Sequence, residues 1–327
     1  MGRSIKEKKS VFEVARKQFP IGRFAPASIQ KDRFESYDNR EKKSDKVAAE
    51  KQEERMEILS LVDVVFKYGT HEEAPHFWFL DHKNMDMSRA SLTKFSNVTV
   101  HVPNPCADSI VSTPSYKKLS KKYGSRLELS GCTAEQQLRY IADAFATPTL
   151  QSYAPGLSLV WYDTCGKCLD EQFQTIELFA RLHLMRRFGP SVFAVTFTHR
   201  DLNDHMDKKT KAKHTHPKRM LVDDWIVQCF KAEGYTAHKS SRLRFPRVKE
   251  GVYTWIYIII PPMWKPSLDT FCEMDQDVNQ YLIDYSFRGG DYPIVSIKTY
   301  QGKPLLLQEK RDTETERLNR MYACWKK

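Results

Sequence analysis

Residues 157–200 constrain the fold more than any other stretch of this 327-residue chain. An apolar run, Leu157 to Tyr162, stops abruptly at Asp163. Thr164-Cys165-Gly166-Lys167 follow, then a long amphipathic stretch, a Gly189-Pro190 stop and a second apolar run, Ser191 to Phe197, that ends in Thr198-His199-Arg200. The order predicts strand, polar tip, helix, strand, polar tip: a βαβ unit with chemistry-capable side chains where each strand ends. In its helix Phe173, Ile176, Phe179, Leu182, Met185 and Phe188 recur every three residues, one apolar stripe facing a sheet.

The same grammar extends both ways. Lys43 to Val65 reads as a packed helix stopped at Gly69. His76 to Leu80 is a short aromatic strand with Asp81 directly after it, and Met85 to Phe95 fits a short helix. Val98 to Val102 is the next strand, closed by Pro103-Asn104-Pro105, and Tyr116 to Tyr123 is the basic end of a surface helix. Arg126 to Leu129 is a third strand ending at Ser130-Gly131-Cys132. Thr133-Ala134-Glu135-Gln136 then matches a capping box, which satisfies free backbone donors at a helix start. Beyond the opening unit, Met220 to Glu233 carries another helical stripe, with Gly234 as its stop. Ser240 to Phe245 and Val252 to Ile260 are strands joined by a turn near Lys249-Glu250-Gly251, hence an antiparallel pair on whose last strand Tyr253, Trp255 and Tyr257 share one face.

Strand–helix alternation through five strands implies an α/β fold, a mostly parallel sheet with helices on both faces. The chain divides into a basic arm over 1–45 with no sustained apolar period, expected to be mostly disordered, an α/β domain over 46–262, and an appended element over 263–327. That last part would hold a hairpin around Gln301-Gly302 and a helix over Arg311 to Trp325.

Charge narrows the partners. With 52 Lys+Arg against 41 Asp+Glu the formal net charge is +11, which suits a polyanion, usually nucleic acid. Lys208, Lys209, Lys211, Lys213, Lys218 and Arg219 crowd one loop after the fifth strand, where they would grip phosphates. His205, His214 and His216 have no acidic or Cys partner at fixed spacing, so no metal site is read there. The seven Cys, odd in number and irregularly spaced, point to a reduced, intracellular protein. No run approaches 18 apolar residues, so no membrane span is expected, and the N-terminus lacks the apolar core of a secretory signal.

In an open α/β sheet, ligands bind outside the carboxyl ends of the strands. Asp81, Asn104, Gly131-Cys132, Asp163 to Lys167 and Thr198 to Arg200 would all sit on that edge. In this arrangement residues 56–262 resemble a class I, Rossmann-like, S-adenosylmethionine-dependent methyltransferase with a seven-stranded sheet and a terminal antiparallel strand pair. The resemblance implies S-adenosylmethionine as cofactor, with Asp81 as the acidic end of the first strand and Asn104 as the ribose-holding end of the second. His82, Asn84, Gly131 and Cys132 would complete the cofactor side. One departure is plain: the turn after Asp81 (His82 to Ser88) has none of the family's glycines.

Asp163, Thr164 and Cys165 would form the catalytic side. A carboxylate beside an amino nitrogen orients its lone pair and takes up developing positive charge. Cys165 also allows a thiolate nucleophile, as in the Asp-x-Pro-Cys motif of RNA cytosine-C5 methyltransferases, but Thr164 stands where proline is expected and a small loop residue is the simpler reading. The expected function is methyl transfer to RNA or DNA. The alternatives are a methyltransferase-like domain that binds nucleic acid without catalysis, and a methyltransferase for protein or small molecules.

Overall fold

The computed structural model describes residues 11–20, 45–69, 74–144, 156–164, 170–198, 217–247, 252–267, 269–274 and 276–278. In chain order they form α1 (Val11–Gln18), α2 (Asp45–Phe66), β1 (His76–Phe79), α3 (Asp86–Lys94), β2 (Thr99–Pro103), α4 (Ala107–Ser112), α5 (Pro114–Tyr123), β3 (Leu127–Ser130), α6 (Ala134–Ala144), β4 (Leu157–Asp163), α7 (Asp170–Arg181), β5 (Ser191–Thr198), α8 (Pro217–Ala232), β6 (Thr236–Arg247) and β7 (Val252–Ile260). One seven-stranded sheet runs β3-β2-β1-β4-β5-β7-β6. The first five strands in that order are parallel, and β7 runs antiparallel between β5 and β6. The chain therefore starts mid-sheet, builds outward to β3, and returns to lay β4 against β1. That reversal opens a crevice at the carboxyl ends of β1 and β4.

Both faces of the sheet are buried, which is why its strands read as near-continuous apolar runs. Successive side chains alternate between two cores. Phe77, Phe79, Val100, Val102, Leu159, Trp161, Val192 and Ala194 join Leu59 and Val62 of α2 on one face. Trp78, Val160, Tyr162, Phe193, Val195 and Tyr257 meet Leu138, Phe179, Val222 and Phe230 on the other. Trp255 shares that second face with Tyr257, as the alternation on β7 predicts. The capping box forms as read: Thr133 Oγ1 accepts from Gln136 N at 3.1 Å, and Gln136 Oε1 accepts from Thr133 N at 2.9 Å.

Four local expectations differ from the structure. Within the span read as a disordered arm, α1 packs Val11, Phe12 and Ala15 fully into the second core, and Phe12 stacks on His101 of β2 at 4.6 Å. The α7 stripe stops early: Leu182, Met185 and Phe188 lie beyond Arg181, Met185 in an isolated β-bridge to Leu157, and Phe188 is exposed. The cause is His183, which adopts φ 49° so that Leu184 N bonds Phe179 O and His183 N bonds Ala180 O. That pattern is a Schellman stop, normally signalled by glycine. Helix α8 begins at Pro217, so Lys218 and Arg219 lie in its first turn rather than in a loop; proline suits a first helical position because its missing N–H is not needed there. Strand β6 spans Thr236–Arg247, longer than expected, with a register irregularity between Lys239 and Arg244.

After β7 the chain continues into the first core, where Trp264, Phe271, Met274 and Val278 are buried. Asp277 there pairs with Lys67 and accepts a hydrogen bond from Tyr68, just past the end of α2. The hairpin and terminal helix expected over 293–325 lie outside the described residues. Among the described residues no helix is long and apolar enough to cross a membrane.

Candidate active site at the carboxyl edge of the sheet

The strand ends bring Asp81, Asn104, Gly131 and Asp163 to one edge, and the side chains there are held by specific bonds. Asp81, 7% exposed, accepts from His82 N at 3.0 Å and from both Ser88 N and Ser88 Oγ at 2.8 Å. Its carboxylate thus caps the first turn of α3, where unpaired N–H groups and the helix dipole favour negative charge. Asn104 donates from Nδ2 to the Asp81 carbonyl at 2.8 Å and accepts from Cys106 N at 2.7 Å. This amide ties the ends of β1 and β2 together.

The glycine-free turn has a physical solution. Met85 takes a left-handed conformation, φ 52° and ψ 41°, and buries its side chain completely in the first core. Left-handed backbone costs a non-glycine residue about 1–2 kcal/mol, and burial of an apolar side chain of this size returns a comparable amount. The backbone shape that glycine would supply is retained without glycine. Arg89 Nη2 donates to the Asn84 carbonyl at 2.8 Å, and Asp86 sits 3.6 Å from both Arg55 and His82, so the turn is fastened to α2 and α3. Of the residues expected to face a cofactor, Asn84 is exposed and His82 half-buried on this turn.

Gly131 and Cys132 are brought to the edge but are covered. Gly131 donates its N–H to the Phe19 carbonyl at 3.1 Å, so the segment after α1 closes over the end of β3. Cys132 is fully buried, and burial, helped by the nearby Glu135 carboxylate, pushes its thiol up to about 12. It is therefore a packing residue and not a reactive one.

On the β4 side, Asp163 and Thr164 are half-buried, and Thr164 Oγ1 donates to the Thr196 carbonyl at 3.0 Å. Cys165 and the basic residues Lys208, Lys209, Lys211 and Lys213 lie outside the described residues, as do the side chains of Lys218 and Arg219. Beside Asp163 runs a buried chain of donors that sequence reasoning missed. Trp161 Nε1 donates to Thr196 Oγ1 at 3.0 Å, Thr196 shares a 2.9 Å bond with Thr254 Oγ1, and Thr254 donates to the Glu54 carboxylate on α2. Glu54 is 2% exposed, and its neighbours Lys51 and Arg55 are buried too. Three buried charges on one helix are rare unless partnered. In sequence they look like the solvent face of a charged helix, and only the register of α2 against β5 and β7 shows otherwise.

Comparison with known proteins adds likeness of fold alone. No family model and no curated protein matches the sequence. Among solved structures, a 16S rRNA (adenine(1408)-N(1))-methyltransferase mutant from Catenulisporales acidiphilia is 7% identical, with 65% of this chain and 92% of that one covered and a TM-score of 0.36. The N-methyltransferase NodS from Bradyrhizobium japonicum WM9 is 9% identical, with 64% and 96% covered and a TM-score of 0.35. A 1,6-didemethyltoxoflavin-N1-methyltransferase from Burkholderia thailandensis is 11% identical, with 74% and 93% covered and a TM-score of 0.36. At such values the deciding observation is the sheet itself, with its order β3-β2-β1-β4-β5-β7-β6 and the antiparallel β7 inserted between β5 and β6. The fold is that of the class I, Rossmann-like methyltransferases.

Proposed function

We propose that this chain is an S-adenosylmethionine-dependent methyltransferase acting on nucleic acid, RNA or DNA. The carrying observation is that Asp81, Asn104 and Asp163 converge at the β1–β4 reversal of a sheet with methyltransferase order. When bound, S-adenosylmethionine supplies an electrophilic methyl group. The residues fit it on the ribose side: an amide has two N–H donors and two acceptor lone pairs, and Asn104 has spent one of each. The second pair remains for ribose hydroxyls. Asp163, half-buried at the end of β4, would orient the acceptor nitrogen and offset the positive charge that grows on it. Support for a polyanionic substrate comes from the +11 net charge and from Lys117, Lys118, Lys121 and Lys122, all exposed on α5.

A second reading is a methyltransferase-like domain that holds nucleic acid without catalysis. It is favoured by Gly131, whose N–H is already given to Phe19. Methyl transfer from labelled S-adenosylmethionine to bulk RNA and DNA separates the two. The proposal expects labelling by the native chain and a loss of about 10²–10³ in Asp163→Ala, with nucleic-acid affinity unchanged. Salt-sensitive nucleic-acid binding without labelling supports the second reading instead.

A further inference from the structure

The opposite edge of the sheet carries a cleft that the methyltransferase reading does not use. Helices α7 and α8 both end there in Schellman stops, with His183 and Gly234 as the left-handed residues. The stops lay the His183 ring on Tyr235 at 5.7 Å, with Nδ1 3.3 Å from the phenol oxygen. Pro261, Pro262 and Met263, just past β7, form the facing wall of a small cleft of about 70 Å³. Met263 is 56% exposed at the rim.

Two consecutive arginines enter this corner with opposite fates. Arg186, 2% exposed, turns inward: it stacks on Phe66 at 4.3 Å and donates to the carbonyls of Phe66 and Pro190 at 3.4 and 3.3 Å. Arg187 turns to the cleft, where its Nη2 is buried and has no hydrogen-bond partner among the described residues. A buried guanidinium nitrogen is a donor only, so what it lacks is an acceptor. The Glu233 carboxylate, on the same side of Tyr235, pairs with His183 Nε2 at 3.8 Å.

We infer that this cleft is a binding site for a monoanionic carboxylate carried on an apolar group. Arg187 would bond the carboxylate, Tyr235 would line the cleft beside it, and the Pro261–Met263 wall would cover the apolar part. Glu233 and the carbonyl ends of two helices make the surroundings unfavourable for a dianion such as a phosphate monoester, because a single guanidinium cannot offset both charges. The carboxylate could belong to a free organic acid or to a peptide C-terminus, and the chemistry at Arg187 is the same for both.

The test uses the full chain and fluorine NMR with 4-fluorobenzoate, 4-fluorophenyl phosphate, and a tripeptide ending in 4-fluorophenylalanine as its free acid and as its amide. Benzoate or the free-acid peptide should bind, and whichever binds identifies the source. Arg187→Met should weaken that binding about tenfold to hundredfold, as expected for loss of a charge-assisted bond, and shift the thermal midpoint little, because Arg187 Nη2 has no hydrogen-bond partner to lose among the described residues. Tyr235→Phe should weaken it less. Three results would overturn the inference: neither carboxylate binding, the phosphate binding more tightly than both, or Arg187→Met lowering the midpoint without touching affinity. The last would mean that Arg187 only offsets the helix ends.

Discussion

The two ends of the parallel strands solve the same problem differently. At the carboxyl edge, charged and polar side chains come from five separate elements and are bonded to one another: Asp81 to Ser88, Asn104 to the Asp81 carbonyl, Glu54 to Thr254. At the amino edge, order comes from close backbone approach. Gly69 and Gly189 pack so tightly around Arg186 that a methyl group on Gly69 would collide with the arginine and one on Gly189 with Gly69 itself. At the first edge Asn104 is held rigidly yet uses only one donor and one acceptor among the described residues. The second spends its glycines on one locked arginine and leaves Nη2 of its neighbour Arg187 without a hydrogen bond among the described residues.

The largest structural effect should follow from breaking the amino edge. A Cβ on Gly69 would lie 2.1 Å from Arg186 Nη2, and one on Gly189 would lie 2.5 Å from Gly69 Cα. Gly189→Ala meets backbone, which cannot swing aside, and should lower stability by about 3 kcal/mol in denaturant titration. Gly69→Ala, which meets the end of a side chain, should cost less. Equal costs would show that Arg186 is as immobile as the backbone around it.

Next in size is the donor chain at the carboxyl edge. Thr254→Val removes the link between Thr196 and the buried Glu54 carboxylate and should cost about 1–3 kcal/mol. Double replacement, Thr254→Val with Glu54→Leu, should recover part of that loss, because the buried carboxylate that lost the Thr254 bond is gone. If the double variant is simply additive, the chain is not coupled. A smaller cost, about 1 kcal/mol, is expected for Thr133→Ala, which removes the capping bond at the start of α6.

The acid limb of stability should trace to neither edge but to the sheet face beneath α1. There His76 Nδ1 lies 2.9 Å from His101 Nε2, and His101 Nδ1 lies 2.9 Å from Glu128. Burial, and then the neighbouring His101, press His76 down to about 3. For Glu128 burial acts upward and is the largest single influence, but the bond to His101 together with the charges of His101, Arg16 and His76 outweighs it and the net shift is downward. A histidine with a folded value below its unfolded one binds protons more readily when unfolded. Its stabilisation is complete above about 6.5 and declines as pH falls from there towards 3, by roughly 1.4 kcal/mol per pH unit. His76→Gln should flatten the fall in thermal midpoint between pH 6.5 and 4. An unchanged slope would exclude this group as the cause.

Much of this was legible in the chain. The strand ends at Asp81, Asn104 and Asp163, the Thr133 cap and the Gly234 stop each have a local signature that tertiary contacts do not override. The missed features share one physical reason: a residue type acting against its usual tendency. His183 and Met85 adopt left-handed backbone without glycine. Glu54, Lys51 and Arg55 are charged and buried. Helix α1 hides Val11, Phe12 and Ala15 inside a strongly basic segment. Each is resolved only by long-range packing, which periodicity cannot see.

The most direct test is a calorimetric titration of the native chain with S-adenosylmethionine, beside Asn104→Leu. A saturable one-to-one heat in the native chain, a raised thermal midpoint and at least tenfold weaker binding in the variant are the expected outcome. No heat and no midpoint shift up to millimolar cofactor would contradict the assignment of the β1–β2 edge as a cofactor site.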